Sequence, residues 1–231
     1  MPLGAPSFPV SLVVAGRPCL VVGGGRVAAR KVDALARSEA HVTVVAPEVD
    51  DAILRCGVQV EHRAYEAGEA ARYRLVITAT GLPEVDRQVA ADAEAAGVFV
   101  NAADDTEACS FVLPAVLRRG TVSVAVSTDG ASPALAAWLR DRVAGLVGPE
   151  LEAVAVLLAR ARATLRGGGH STEGLDWRSL LDAGLGDLVA AGSEREAEDV
   201  VRRWVASCLA ERGGGGSVPV DPPDAGSMRG A

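Results

Sequence analysis

The sequence has 231 residues, of which 49% are hydrophobic and 23% are charged, and its formal net charge at pH 7 is −7. This composition is typical of a folded globular protein and unlike that of a disordered chain. An acidic chain lacks the basic surface that sequence-independent binding of nucleic acid requires, so that class of function is excluded.

Neither the apolar segments nor the cysteines indicate a membrane or secreted protein. No apolar run reaches the roughly 20 residues that span a bilayer, and the first basic residue, Arg17, comes too late for the charged start of a secretory signal. The cysteines are widely scattered and contain no CxxC pair: Cys19, Cys56, Cys109 and Cys208. We therefore expect a cytoplasmic protein with free thiols and no bound metal, membrane or nucleic acid.

Strand-like and helix-like segments alternate through the first part of the chain. The predicted strands cover residues 19–22, 41–45, 58–61, 75–79 and 98–100. Helical periodicity follows over residues 26–38 and again from Pro83 to Gly97, with proline at the first helical position. This order predicts a Rossmann-like, doubly wound parallel α/β sheet.

The periodicity changes after this region. Extended runs over 110–117 and 121–127, joined by Arg118-Arg119-Gly120, predict a hairpin. Ser132 and Pro133 are typical of the start of a helix. Further helices are predicted behind it, including 175–190 and a last one after a capping box at Ser193. From Gly213 onward the residues are mainly Gly, Pro, Ser and Asp, which predicts a disordered tail.

The turn after the first strand fits the pattern G-x-G-x-x-A, with Gly23, Gly25 and Ala28 at the defined positions. The first glycine permits a tight turn, the second lets the backbone approach a pyrophosphate, and the alanine lets helix and strand pack closely. The start of the helix favours negative charge. In this strand–turn–helix context the motif predicts a dinucleotide site.

The end of the second strand distinguishes NAD from NADP. An acidic residue usually holds the ribose there, but this sequence has Ala46 and Pro47, and Glu48 follows two residues late. Because no basic residue is present to bind a 2′-phosphate, NAD is favoured.

Polar residues cluster after the last predicted strand of the sheet, at Asn101, Asp104 and Asp105. A carboxylate at this edge could act as a general base or guide a metal, or it could simply cap a turn. Arg30 and Lys31, in the first helix, could contact a ligand or be solvated surface residues. The histidines share no spacing typical of metal ligands.

Several motifs stand together in order: residues 23–31, 42–47, 78–80, Asn101-x-x-Asp104, residues 110–114 and the run VAVSTDGASP over 124–133. This set resembles the dehydrogenase/chelatase family of siroheme synthases, whose members oxidise precorrin-2 to sirohydrochlorin. The resemblance covers residues from about 8 to 150, whereas residues 150–212 resemble the family only in their pattern of helices.

The resemblance implies an NAD-binding enzyme that acts on a tetrapyrrole, and in bifunctional members also inserts Fe²⁺. It implies a homodimer in which each chain has a Rossmann domain over 1–110, a dimerisation region over 111–149 and a helical domain over 150–212. The tail predicted from composition, over 213–231, follows these. Asp104 corresponds to the catalytic aspartate. The implied cofactor-binding residues are Gly23, Gly25, Arg26, Val27, Pro47, Glu48, Thr80 and Asn101. Candidates to bind the substrate's carboxylates are Arg118, Arg119, Arg140 and Arg142.

Two other interpretations of the glycine turn remain open. A non-catalytic NAD-sensing module would share the glycine turn, but it would need neither Asn101-x-x-Asp104 nor the run over 124–133. An ordinary NAD-dependent dehydrogenase of a small metabolite would be expected to carry a catalytic Lys, Tyr or His in a recognisable motif, and none stands here.

Overall fold

The computed structural model describes residues 6–213, which form two compact units. The first unit contains residues 6–116 and 125–142, and the second contains residues 117–124 and 143–213. No helix in this described part of the chain is long and apolar enough to cross a bilayer.

A five-stranded parallel sheet organises the first unit. Its strands are β1 (Pro18–Val22), β2 (His41–Val45), β3 (Gln59–Glu61), β4 (Leu75–Thr78) and β5 (Phe99–Ala102). Their order is β3-β2-β1-β4-β5, so the chain winds outward from β1 in both directions and the switch point lies between β1 and β4. The predicted doubly wound fold is confirmed.

Helices cover both faces of this sheet, which explains why β1 and β4 are almost entirely apolar. The helices are α1 (Arg26–Ala36), α2 (Asp51–Leu54) and α3 (Pro83–Ala95), with a 3₁₀ turn at Glu69–Arg72. Along β1, Val21 packs in the same core as α1, whereas Leu20 and Val22 pack in the core that contains α3.

A two-stranded sheet follows, formed by β6 (Ala115–Arg119) and β7 (Val122–Val126), and then helix α4 (Pro133–Ala144). The sequence wrongly placed Arg118 and Arg119 in the turn, since both lie in β6. The strand starts after Pro114, which lacks an N–H group, and the chain reverses at Gly120, whose φ is +55°. The predicted helix start is confirmed, because the Ser132 hydroxyl accepts the Leu135 N–H at 3.2 Å.

The second unit is mainly helical. It contains α5 (Glu150–Gly167), α6 (Trp177–Leu180), α7 (Gly186–Ala190) and α8 (Glu194–Gly213). The predicted helical segment over 175–190 is present, but a π-type turn at Leu181–Leu185 interrupts it, with Gly184 at φ +82°. In its core the rings of Trp177 and Trp204 lie 4.6 Å apart between centroids. Apart from Gly213 at the end of α8, the predicted tail lies outside the described residues.

Candidate functional site at the carboxyl edge of the sheet

The turn between β1 and α1 brings three backbone segments into close contact. Gly23 has φ +119°, and a Cβ atom there would lie 2.3 Å from the carbonyl oxygen of Ala79. A Cβ atom on Gly24 would lie 1.8 Å from the carbonyl oxygen of Glu48. The first two glycines are therefore required by the fold, because side chains at either position would collide with backbone at the ends of β4 and β2.

Gly25 differs from its two neighbours. It precedes α1 with φ −82° and ψ −176°, which any residue can adopt, and a Cβ atom there would meet no atom within 4 Å. No side chain in the described part of the chain caps α1, so the N–H groups of its first turn are available to an anion. This open space at Gly25 and the start of α1, which we call the glycine cradle, fits the pyrophosphate of a dinucleotide.

Charged residues lie around the start of α1. A surface depression of about 560 Å³ is lined by Arg26, Arg30 and Asp50 together with Val27, Ala29 and Ala52. The two arginines place positive charge beside the helix start, which favours a bound phosphate. On the β2 side, Glu48 is exposed, and the Asp50 N–H donates to the Gly24 carbonyl oxygen at 2.8 Å. The predicted cofactor residues Pro47 and Glu48 thus lie beside the glycine turn.

A buried carboxylate fixes the turn after β4. Asp86, in the first turn of α3, is only 8% exposed. Its Oδ1 atom accepts hydrogen bonds from the hydroxyls of Thr78 and Thr80, the latter at 2.8 Å, and from the Thr80 N–H at 3.2 Å. Asp86 is not predicted as a site residue from the sequence, since its spacing in α3 is that of any polar helix residue. Through these bonds it holds the predicted cofactor residue Thr80 at the switch point.

Asn101 lies inside β5, opposite Ile77, and not after the strand as the sequence suggested. It is buried, and its amide nitrogen donates to the carbonyl oxygen of Phe111 at 3.0 Å and to Cys109 Sγ at 3.5 Å. The Cys109 thiol also accepts the Ala102 N–H at 3.2 Å, and burial raises its pKa. These contacts tie the segment after β5 back onto the strand.

The two neighbouring aspartates after β5 have different surroundings. Asp105 Oδ1 accepts the N–H groups of Glu107 and Ala108, at 3.1 Å and 3.3 Å, and so caps the turn. Asp104 is exposed, and its carboxylate makes no hydrogen bond or ion pair with any residue of 6–213. The alternative that a carboxylate here only caps a turn thus describes Asp105, whereas Asp104 is available to a ligand.

Strand register brings the predicted residues to one edge. Val22 pairs with both Val45 and Thr78, and Thr78 pairs with Ala102. The segments that follow these four strands therefore share one row, and β5 lies two strands, or roughly 10 Å, from β1. The glycine cradle, residues 47–48, Thr80 and Asp104 meet at this edge, where doubly wound folds bind ligands.

Three of the four predicted carboxylate-binding arginines already have contacts within the chain. Arg140 pairs with Asp141 at 2.6 Å, Arg142 lies 5.0 Å from the ring centroid of Trp138, and Arg119 donates to the Val147 carbonyl oxygen at 3.2 Å. Arg118 is exposed and has no side-chain hydrogen bond among the described residues. No group of three His, Cys, Asp or Glu side chains in that part of the chain could hold a metal ion.

Comparison with known proteins identifies the domain that carries this candidate site. Residues 10–115 match the family model described as "Putative NAD(P)-binding", and residues 119–146 match the model "Sirohaem biosynthesis protein central". The first match coincides with the sheet and its glycine turn, which confirms the predicted NAD-type cofactor domain. A solved structure titled "SirC, precorrin-2 dehydrogenase" superposes with a TM-score of 0.64 at 23% identity, over 85% of this chain and all of that one, and shows the same fold.

The curated relatives are larger proteins. The siroheme synthase of Thioalkalivibrio sulfidiphilus is 34% identical over 217 residues, which is 91% of this chain and 44% of the relative. That of Nitrosococcus oceani is 36% identical over 197 residues, 83% of this chain and 42% of the relative. The chain spans less than half the length of these relatives. Together these matches confirm the resemblance seen in the sequence motifs: the chain belongs to the siroheme synthase dehydrogenase/chelatase family.

Proposed function

We propose that this protein oxidises precorrin-2 to sirohydrochlorin with NAD as the oxidant, in siroheme biosynthesis. One observation carries the proposal: the Asp104 carboxylate, which has no partner among residues 6–213, lies on the same sheet edge as the open cradle at Gly25. A binding module needs the cradle alone, whereas a dehydrogenase also needs a group that takes a proton. The siroheme synthase relatives and the fold shared with a precorrin-2 dehydrogenase support the choice of substrate.

In this proposal, different residues around the glycine cradle contact different parts of the cofactor. The backbone of Gly23, Gly25, Arg26 and Val27 holds the pyrophosphate, with Arg26 adding positive charge. Residues 47–48 lie on the adenosine side, where the negative charge of Glu48 disfavours the 2′-phosphate of NADP. Bound NAD supplies the hydride acceptor for the reaction.

On the other side of the cradle, Thr80 and Asn101 shape the part of the site nearest the substrate. Thr80 is held by Asp86, and Asn101 positions the segment that carries Asp104 through its bond to Phe111. The oxidation removes a hydride and a proton from the substrate, giving sirohydrochlorin, NADH and H⁺. In this scheme Asp104 accepts the proton, because its carboxylate is exposed and has no competing partner among residues 6–213.

Iron insertion is the second candidate activity. It requires the removal of pyrrole N–H protons beside the incoming Fe²⁺, and one free carboxylate can assist this without a permanent metal site. Asp104 is the residue that supports this activity too. Fe²⁺ is then a substrate and not a cofactor.

We also propose that the protein acts as a homodimer in the cytoplasm. The surface of the first unit leaves large apolar side chains exposed in the predicted dimerisation region: Leu113, Val116, Leu135 and Trp138. A second copy would bury this patch symmetrically.

The decisive test supplies precorrin-2 and NAD to the purified protein under anaerobic conditions and follows sirohydrochlorin absorbance and NADH formation. We expect both products in equal amounts, with NADP a poorer oxidant. Binding of NAD without oxidation would favour the NAD-sensing alternative, and oxidation of small hydroxy acids would favour the ordinary dehydrogenase. Adding Fe²⁺ after the oxidation tests the second activity separately.

A further inference from the structure

Lys31 stands out in the composition of this chain. The sequence contains 23 basic residues other than histidine, and Lys31 is the single lysine among them, with arginine at all the other positions. The two residue types differ physically: lysine presents a compact ammonium on a flexible stem, whereas arginine presents a wide planar fork. A lone lysine therefore marks a position where the difference between the two side chains can matter.

Lys31 is half-buried on α1, at the border of the core that contains Ala28, Val32 and Leu35. Its ammonium forms no ion pair or hydrogen bond within residues 6–213. Burial lowers the pKa of Lys31, the neighbouring Arg30 lowers it further, and Cys109 acts weakly in the opposite direction. A partly desolvated cation without a counter-charge is unfavourable, so a ligand anion bound beside it would lower its free energy.

The surroundings of Lys31 connect it to the turn that carries Asp104. Ala103 and Phe111, on the two sides of this turn, pack against the core that contains Ala28 and Val32 of α1. The Cys109 thiol helps to hold the turn, since it donates to the carbonyl oxygen of Asp105 at 3.3 Å. Helical side chains lean toward the start of their helix, which here is the end at the carboxyl edge of the sheet. Lys31 thus lies at the border of the core against which the segment that carries Asp104 packs.

Lys31 also points to a different side of α1 from the arginines that flank the glycine cradle. At 100° per residue, Arg26 and Arg30 share one side of α1 with the depression beside Asp50, whereas Lys31 lies about 100° or more around the helix from both. The pyrophosphate already has the helix start and two arginines. The anion that reaches Lys31 is therefore expected to come from the side of the site where Asp104 lies.

We propose that Lys31 binds a carboxylate of the tetrapyrrole and holds the substrate against Asp104. This inference rests on the proposed function, since it takes the polycarboxylate nature of precorrin-2 and sirohydrochlorin as given. It makes Lys31 a residue that determines substrate binding, on the opposite flank of α1 from the arginines that favour the cofactor phosphates.

The single lysine permits a direct test by chemical footprinting. The protein is acetylated with an amine-selective reagent, alone, with sirohydrochlorin or with NAD, and the acetylated fraction of the Lys31 peptide is measured by mass spectrometry. We expect sirohydrochlorin to slow acetylation of Lys31 by about tenfold or more, and NAD to leave it nearly unchanged. Protection by NAD instead would assign Lys31 to the cofactor site and overturn the proposal.

Kinetics of Lys31→Gln provide the second readout. We expect the KM for precorrin-2 to rise about tenfold or more while the Kd for NAD stays constant, with partial recovery in Lys31→Arg. Arg37→Gln is the matched control, because Arg37 is an exposed cation at the end of the same helix and pairs with Asp33. Its KM should match that of the original protein.

The outcomes separate this inference from the proposed function. If the protein oxidises precorrin-2 but Lys31 is unprotected and Lys31→Gln keeps its KM, the role of Lys31 is refuted and the function stands. If the protein neither binds sirohydrochlorin nor oxidises precorrin-2, both are refuted.

Discussion

Gly24 and Glu48 pack backbone to backbone: a Cβ atom on Gly24 would lie 1.8 Å from the Glu48 carbonyl oxygen and 2.9 Å from the Cα atom of Val49. One residue later, Gly25 has open space where its side chain would be. Adjacent glycines of one motif thus serve different purposes. Gly24 permits the β1–α1 turn to pack against the segment after β2, whereas Gly25 leaves room for a ligand.

This contrast gives the first prediction. Gly25→Asp should fold with nearly unchanged stability, because its φ and ψ are ordinary and nothing collides, yet it should lose NAD binding through steric exclusion and charge repulsion. NAD titration and thermal unfolding measure the two effects separately. Gly24→Ala is the comparison, and it should unfold more easily by at least about 1–3 kcal/mol. A folded Gly25→Asp variant with normal NAD affinity would contradict the cofactor assignment.

Asp86 gives a second prediction, on the turn at the switch point. Asp86→Ala removes the acceptor for the hydroxyls of Thr78 and Thr80 and for the Thr80 N–H. The Thr80 hydroxyl can still donate to the Leu82 carbonyl oxygen at 3.3 Å, but the Thr78 hydroxyl and the Thr80 N–H lose their acceptor, which should cost about 1–3 kcal/mol of unfolding free energy. Denaturant titration measures this loss. Glu84→Gln, an exposed carboxylate in the first turn of the same helix, should stay within about 0.5 kcal/mol of the original protein.

Glu69 gives a prediction on pH. Its burial alone would raise the carboxyl pKa, but hydrogen bonds from Arg63 and the Glu66 N–H, with the charge of Arg72, hold that pKa below its ordinary value of 4.5. Because the folded state binds this proton more weakly than the unfolded state, the contribution of Glu69 is present above about pH 4.5 and is lost as the pH falls further.

Denaturation of Glu69→Gln at two pH values tests this linkage. At pH 7 the variant should be less stable by about 1–3 kcal/mol, and the difference should shrink as the pH drops below the ordinary pKa of the carboxyl group. Glu66→Gln, whose side chain is exposed, should show neither effect. An unchanged difference at low pH would mean that the charge of Glu69 contributes nothing.

The sequence predicted the elements whose burial is simplest. β1 and β4 are apolar runs covered on both faces, a pattern that is visible directly in a sequence. The sequence-based prediction misplaced the β6–β7 turn, because Arg118 and Arg119 resemble turn residues in composition although they extend a strand. The break at Gly184 was missed because a π-type turn keeps helical spacing on either side.

The candidate site was predicted less completely than the fold. Glycines and carboxylates after strands are visible in a sequence. The difference between Asp104 and Asp105 is not, because it depends on which side chain accepts the N–H groups of the turn. Asp86 was invisible for a similar reason: its partners come from a strand and a loop. For Lys31 the sequence left ligand contact and solvation as alternatives, and its half-burial without a counter-charge among residues 6–213 now favours ligand contact.

Trp138 gives a prediction on assembly. Its ring is 54% exposed on α4, near the exposed Leu135, and Trp138→Asp would place a charge in the proposed dimer interface. We expect the original protein to sediment as a dimer at micromolar concentration and the variant as a monomer. Leu54→Asp, a similarly exposed apolar residue at the end of α2, should leave the mass unchanged. A monomeric original protein would refute the dimer.

The last prediction concerns Asp104, whose carboxylate has no partner among residues 6–213. Asp104→Asn keeps the shape of the side chain and removes the base, so turnover of precorrin-2 should fall about 10²–10⁴-fold while the Kd for NAD stays constant. Asp105→Asn is the matched control, since an asparagine oxygen can still accept the N–H groups of Glu107 and Ala108. Greater sensitivity at Asp105 would show that the motif is assigned in the wrong register. If neither variant loses turnover, positioning alone carries the oxidation, and iron insertion measured on the same two variants would show whether Asp104 serves that step instead.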